Sequence, residues 1–91
     1  MYQIVRSSSF KRDMKNYIYN TKVIDRLKEI SMCLLSESLI PEYYQDHPLK
    51  GKFSWYRECH HLPNLLLIYE IDKKGQYITF CYIGSHSDIF W

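Results

Sequence analysis

The hydrophobic pattern changes period twice along the chain. "YQIVR" alternates and predicts a short strand from Tyr2 to Arg6, and the serine run Ser7 to Ser9 offers helix N-cap candidates. From Phe10 the apolar positions Phe10, Met14, Tyr17 and Ile18 recur at helical spacing; Val23, Ile24, Leu27, Ile30, Leu34 and Leu35 do the same after a break at Asn20 and Thr21. Two helices forming an αα-hairpin are expected.

The segment "SLIPEYYQDHPLKGKF" contains two of the three prolines and reads as a long ordered connection. Three strands should follow. The first runs from Lys52 to His60, the continuous apolar run Leu65 to Ile71 suits a central buried strand, and Gln76 to Ile83 alternates and ends at Gly84. The links "HLPN" and "DKKG" are short and turn-like, which predicts an antiparallel meander. The order β-α-α-β-β-β describes an α+β domain with helices on one face of a sheet. With 91 residues and no repeat or linker, the chain reads as one domain, residues 1–91, with one modest core.

No stretch approaches the ~20 apolar residues that span a bilayer, and "MYQIVRSSSF" lacks the apolar centre of a signal peptide. A soluble, cytoplasmic protein without a membrane partner is expected. Cys33, Cys59 and Cys81, spaced 26 and 22 residues apart, fit neither a disulfide framework nor a paired-cysteine zinc site and read as buried thiols. The net charge of +2 conceals an asymmetry. Residues 1–30 hold seven Lys and Arg against three Asp and Glu, giving +4, whereas residues 31–91 hold five against seven, giving −2. The basic part suits an acidic partner, RNA or protein, or is a solvated helix face.

Candidate chemistry gathers in "YRECHH", where a strand sends Tyr56, Glu58 and His60 to one face and Trp55, Arg57 and Cys59 to the other. A glutamate beside a histidine favours imidazolium and orients the ring, a useful pair for proton transfer, although the same pair at a strand end also serves as solvated decoration. His47 lies in the proline-bounded loop, and His86 follows the last strand, near a short C-terminal helical turn with Ser85 as a candidate cap. A meander places His60 and His86 at one end of the sheet, while His61 should face away or sit in the turn. No local histidine or cysteine pair has metal-ligand spacing, so neither a metal nor another cofactor is expected.

Three blocks, "DHPLKGKFSWYRECH", "PNLLLIYEI" and "GSHSDIF", closely resemble the YafQ family of RelE-like toxins from bacterial type II toxin-antitoxin systems. The resemblance implies a RelE-like fold and a metal-independent endoribonuclease that cuts mRNA, typically in the ribosomal A site. It also implies a cognate acidic antitoxin, with operator DNA met only through the antitoxin complex. The family's catalytic positions fall on His47, Glu58, His60 and His86, and its C-terminal aromatic on Phe90.

RNA cleavage without a metal needs a base for the 2′-hydroxyl, an acid for the 5′-oxygen and donors for the phosphorane, and histidines supply all three. His86 reads as the acid and His47 or His60 as the base, with Glu58 tuning His60. Phe90 could stack on a base or cover the sheet edge. Lys50, Lys52 and Arg57 are candidate phosphate contacts, with Arg57 on the opposite strand face and open to a structural role. Two positions depart from the family pattern. Asn64 stands where relatives often carry aspartate, and Tyr82 where an arginine often precedes the strand-end glycine by two. Asn64 can still hydrogen-bond His60 or a phosphate oxygen but cannot act as a base. These losses leave a second reading, a toxin-like module that binds antitoxin without cutting RNA.

Overall fold

Ser7 joins the first strand to the first helix. Its Oγ accepts from the Phe10 N–H at 3.0 Å as the N-cap and donates to the Cys81 carbonyl at 2.7 Å. In this computed structural model, which describes residues 1–85, β1 is Gln3–Arg6 and α1 is Ser8–Met14, followed by a 3₁₀ turn at Lys15–Tyr17. The expected break becomes a second cap: the Asn20 side chain accepts from the Val23 N–H at 3.2 Å and opens α2, Thr21–Leu35. The C-terminal helical turn expected from the sequence lies outside the described residues, as do His86 and Phe90.

The remaining strands are β2, His47–Pro48; β3, Tyr56–Leu62; β4, Leu65–Asp72; and β5, Tyr77–Gly84. They form one five-stranded sheet in the order β1-β5-β4-β3-β2, antiparallel except for the parallel β1–β5 pair. The meander is as expected, and the two-residue β2 is an addition to it. Each helix packs on the sheet more than on the other helix, α1 against β5 and α2 against β3 and β1.

The core lies between the helices and one sheet face. Phe10, Val23, Ile30 and Leu34 meet Leu67, Tyr69, Ile78, Phe80 and Ile83 there. On the opposite face Leu66, Ile68 and Cys81 are buried beside Leu49, Tyr56 and Tyr82. Both faces of β4 are therefore covered, which is why its sequence is apolar without alternation. Among the described residues no helix is long and apolar enough to cross a membrane.

Two sequence expectations need correction. The strand expected from Lys52 begins only at Tyr56, because Gly51 adopts φ +67° and opens a 3₁₀ turn over Gly51–Phe53. A left-handed backbone there suits glycine and interrupts the extended chain. At the other end β3 runs past His60 to Leu62, with a register shift between them. His61 occupies this bulge and faces away from Glu58 and His60, as expected, fully buried on the helix side against Val23.

Candidate active site

The functional geometry begins with a strand of two residues. β2 pairs antiparallel with β3 so that His47 lies opposite Glu58 and Pro48 opposite Arg57. His47 thereby shares the face of Glu58 and His60, the alternate residues of β3. Glu58 Oε1 stands 3.3 Å from His47 Nε2 and 3.6 Å from His60 Nε2, and the two imidazole centroids are 6.4 Å apart. Glu58 is buried, while the side chains of His47 and His60 are 48% and 26% exposed, so both rings remain open to a substrate.

His47 Nδ1 lies 3.1 Å from the Pro48 carbonyl. Both ring nitrogens therefore face acceptors, Pro48 on one side and Glu58 on the other, and only the doubly protonated ring donates to both.

A second cluster, on the helix-facing side, holds β2 in place. Arg57 donates to Asp46 Oδ2 from Nε at 3.1 Å and from a terminal nitrogen at 2.7 Å, and the Tyr69 hydroxyl donates to Asp46 Oδ1. Burial, then the bond to Asp46, pushes the Tyr69 phenol far above its ordinary range; the Asp46 bond raises Arg57. Asp46 precedes His47, so this clamp fixes the histidine's backbone from behind. The sequence reading passed over Asp46 and Tyr69. A carboxylate adjacent to a candidate histidine was the available signal, but its partners come from β3 and β4 and require the strand register.

Of the residues expected at the site, His47, Glu58 and His60 converge. Arg57 sits on the other face, engaged with Asp46, as alternation allowed. Lys50 and Lys52 are exposed around the 3₁₀ turn, with the Lys52 ammonium 5.4 Å from the Phe53 ring centroid. Asn64 is exposed in the β3–β4 turn and makes no hydrogen bond to His60 among the described residues.

His61 is a structural neighbour. Its Nε2 lies 2.7 Å from the Val23 carbonyl and donates to it, leaving Nδ1 buried with no hydrogen-bond partner among the described residues. Burial holds this imidazole below its ordinary range and neutral. Burial likewise raises the Cys59 thiol and pushes Cys81 up to about 12, so neither is a ready nucleophile near neutral pH.

Local spacing offers no metal ligands, but the fold brings His47, Glu58 and His60 together from two strands. One ligand atom each from His47, Glu58 and His60 lies within 4.8 Å of the others. Zinc bonds of ~2.0–2.2 Å in tetrahedral geometry put ligand atoms roughly 3.3–3.5 Å apart, close to the two Glu58 distances. Two histidines and a glutamate form a chemically suitable donor set, assembled by strand alternation and pairing.

Comparison with known proteins agrees with the fold. The profile of the family described as "Bacterial toxin of type II toxin-antitoxin system, YafQ" matches residues 2–91. The mRNA interferase toxin YafQ of Escherichia coli K12 is 32% identical over 85 residues, covering 92% of this chain and 90% of its own. A metal-bound toxin from Helicobacter pylori is 37% identical, with a TM-score of 0.89 and coverage of 99% and 100% of the two chains. The E. coli DinJ-YafQ complex contains a chain that is 29% identical, with a TM-score of 0.84 and full coverage of both.

Proposed function

The chain belongs to the YafQ family of bacterial type II toxin-antitoxin toxins, and we propose that it cuts mRNA through His47, Glu58, His60 and His86. The observation that carries this reading is the convergence of two partly exposed imidazoles on one buried carboxylate. Neither pairing is local in sequence, and a domain that only bound antitoxin would gain nothing from it.

The chemistry is attack of an RNA 2′-oxygen on the adjacent phosphorus with departure of the 5′-oxygen. His60 takes the 2′-hydroxyl proton as the new P–O bond forms. His86, assigned by the family pattern, gives a proton to the 5′-oxygen as its bond to phosphorus breaks. The products are a 2′,3′-cyclic phosphate and a 5′-hydroxyl, and no redox partner is involved. His47, with acceptors at both nitrogens, stabilises the charged phosphorane, and Glu58 holds both rings. Lys50, Lys52, Asn64 and Phe90 are the proposed RNA contacts. The ribosomal A site is the proposed setting, in the cytoplasm, and an acidic antitoxin is the proposed silencing partner, by likeness to the DinJ-YafQ complex.

The test is single-turnover cleavage of free RNA by purified chain in the presence of chelator, beside His60→Ala and His86→Ala. The parent should cut, and each variant should lose ~10²- to 10⁴-fold in rate while remaining folded. A parent that neither cuts RNA nor arrests growth when induced alone would favour the antitoxin-binding module.

A second reading rests on the donor set. His47, Glu58 and His60 are the residues that would hold a divalent transition-metal ion, and a relative is a metal-bound toxin. A bound ion would supply Lewis acidity, whereas the acid-base route needs the same imidazole nitrogens for protons. The two uses are therefore mutually exclusive at any moment.

A further inference from the structure

A groove of about 470 Å³ opens beside the catalytic cluster. β2 stops at His47, so β3 is the sheet edge beyond that pairing, and His60, Leu62 and Pro63 form one wall. α2 supplies Lys22 and Arg26 to another wall, and Tyr43 and Gln45 complete it. Taking the cleavage reading as its premise, we infer that this groove is a second RNA subsite, holding backbone phosphates and one base of the strand adjoining the scissile bond.

Charge is the first observation. Lys22 and Arg26 are four residues apart and stack on the same face of α2, an arrangement of like charges that weakens a helix slightly. Among the described residues neither cation has a carboxylate within 4.0 Å, and no acidic side chain lines the groove. The neighbouring Glu29 is engaged elsewhere, accepting from the hydroxyls of Tyr43 at 2.6 Å and Tyr44 at 2.5 Å.

Preorganisation is the second. Tyr43 is 57% exposed, yet its ring is fixed by that bond to Glu29 and by Tyr44, whose centroid is 4.6 Å away. The Arg26 guanidinium carbon lies 5.8 Å from the Tyr44 centroid, which limits its wandering. An exposed, immobilised aromatic beside two cations is the usual equipment for gripping unpaired nucleotides.

Backbone conformation is the third. Gln45 has φ 50° and ψ 45°, a left-handed conformation that a residue with a side chain adopts only at some cost. Glycine would relieve that strain, but it would also remove an amide able to hydrogen-bond a base edge in the groove. RNA is favoured over a protein occupant because His60 itself lines the groove. A strand cut at His60 must continue past it.

The probe is a short single-stranded RNA that the parent cleaves, carrying a 2′-deoxynucleotide at the cut position so that it binds intact. Its affinity is measured across a salt series for the parent, Lys22→Gln, Arg26→Gln, Arg26→Lys, Tyr43→Leu and Lys74→Gln. Lys74 lies exposed in the β4–β5 turn, at the other end of the β4 strand from the β3–β4 turn, and serves as the control for removing one charge. Lys22→Gln and Arg26→Gln should each lower the magnitude of the log K versus log salt slope by about 0.7, the value for one contact with single-stranded phosphate. Tyr43→Leu should weaken binding roughly tenfold with the slope retained. Arg26→Lys should keep the slope, and Lys74→Gln should match the parent.

Groove variants that retain both parental affinity and slope, with thermal melts showing them folded, overturn the subsite. So does loss of antitoxin binding with RNA binding intact, which would make the groove a protein interface. A parent that cuts no RNA removes the cleavage reading and the subsite together, whereas a cutting parent with indifferent groove variants removes the subsite alone.

Discussion

His47 and Glu58 are direct partners across the β2–β3 ladder, with the histidine Nε2 3.3 Å from the carboxylate Oε1. Glu58 is only 4% exposed, so its charge has lost most of its water and needs nearby compensation. His47 provides that from β2 and His60 from two positions along β3. One carboxylate therefore organises two imidazoles that differ in exposure.

Replacing Glu58 by glutamine keeps the volume and removes the charge that both rings share. Cleavage by Glu58→Gln should fall by roughly 10- to 100-fold, below the loss expected for a histidine that transfers a proton itself. The melting temperature should be unchanged or higher, because a buried carboxylate no longer needs compensation. Single-turnover kinetics and thermal denaturation check both. Parental activity in Glu58→Gln would reduce this residue to scaffolding.

His61 should make the fold sensitive to mild acid. Its folded form is held neutral below the ordinary value of 6.5, since burial opposes charge and Nδ1 has no partner among the described residues to receive a proton's hydrogen bond. The unfolded chain binds that proton as pH falls through about 6.5, while the folded chain does not. Stability is therefore full above about pH 6.5 and lost progressively below it, towards the depressed folded value. His61→Gln should show a shallower fall in melting temperature between about pH 7 and about pH 5. Parallel curves for the two proteins would contradict the assignment.

Zinc or copper should inhibit cleavage of free RNA. An ion on His47, Glu58 and His60 occupies the nitrogens the proton-transfer route requires, so chelator should restore full activity and His47→Ala should weaken inhibition. Activation by the same ions, with activity abolished by chelator, would reverse the order of the two readings of the site.

The exposed cations of α1 and the 3₁₀ turn that follows it should steer an acidic antitoxin. Reversing Lys11, Arg12 and Lys15 to glutamate should slow association about tenfold or more at low ionic strength, with the difference shrinking as salt rises. Arg12 already pairs with Asp13 at 3.3 Å, so it should contribute least of the three. Stopped-flow association rates across a salt series decide this, and a parental rate at low salt would place antitoxin docking elsewhere.

Asn64 should matter modestly. It holds no catalytic partner among the described residues, so Asn64→Ala can lose only a ligand hydrogen bond, about two- to tenfold in rate. An inactive parent rescued by Asn64→Asp would instead mean that an acid at this position is indispensable.

Local pattern was enough to determine the α+β order, the serine that starts the first helix, the break at Asn20 before the second, the buried β4, and the shared face of Glu58 and His60. Each depends on periodicity or on chemistry within a few residues, which the chain carries wherever it folds. Other features were decided by tertiary structure: the parallel docking of β1 on β5, the β2 pairing that carries His47 to Glu58, the Asp46–Arg57–Tyr69 clamp behind it, and the bulge that buries His61 against Val23. These depend on strand register and on which segments are adjacent, and a shift of one residue would send every side chain of a strand to the opposite face. The same reason explains the metal-capable donor set. Its three ligands have no helical spacing between them, and they meet only because two strands align His47 with Glu58 while the pleat aligns Glu58 with His60.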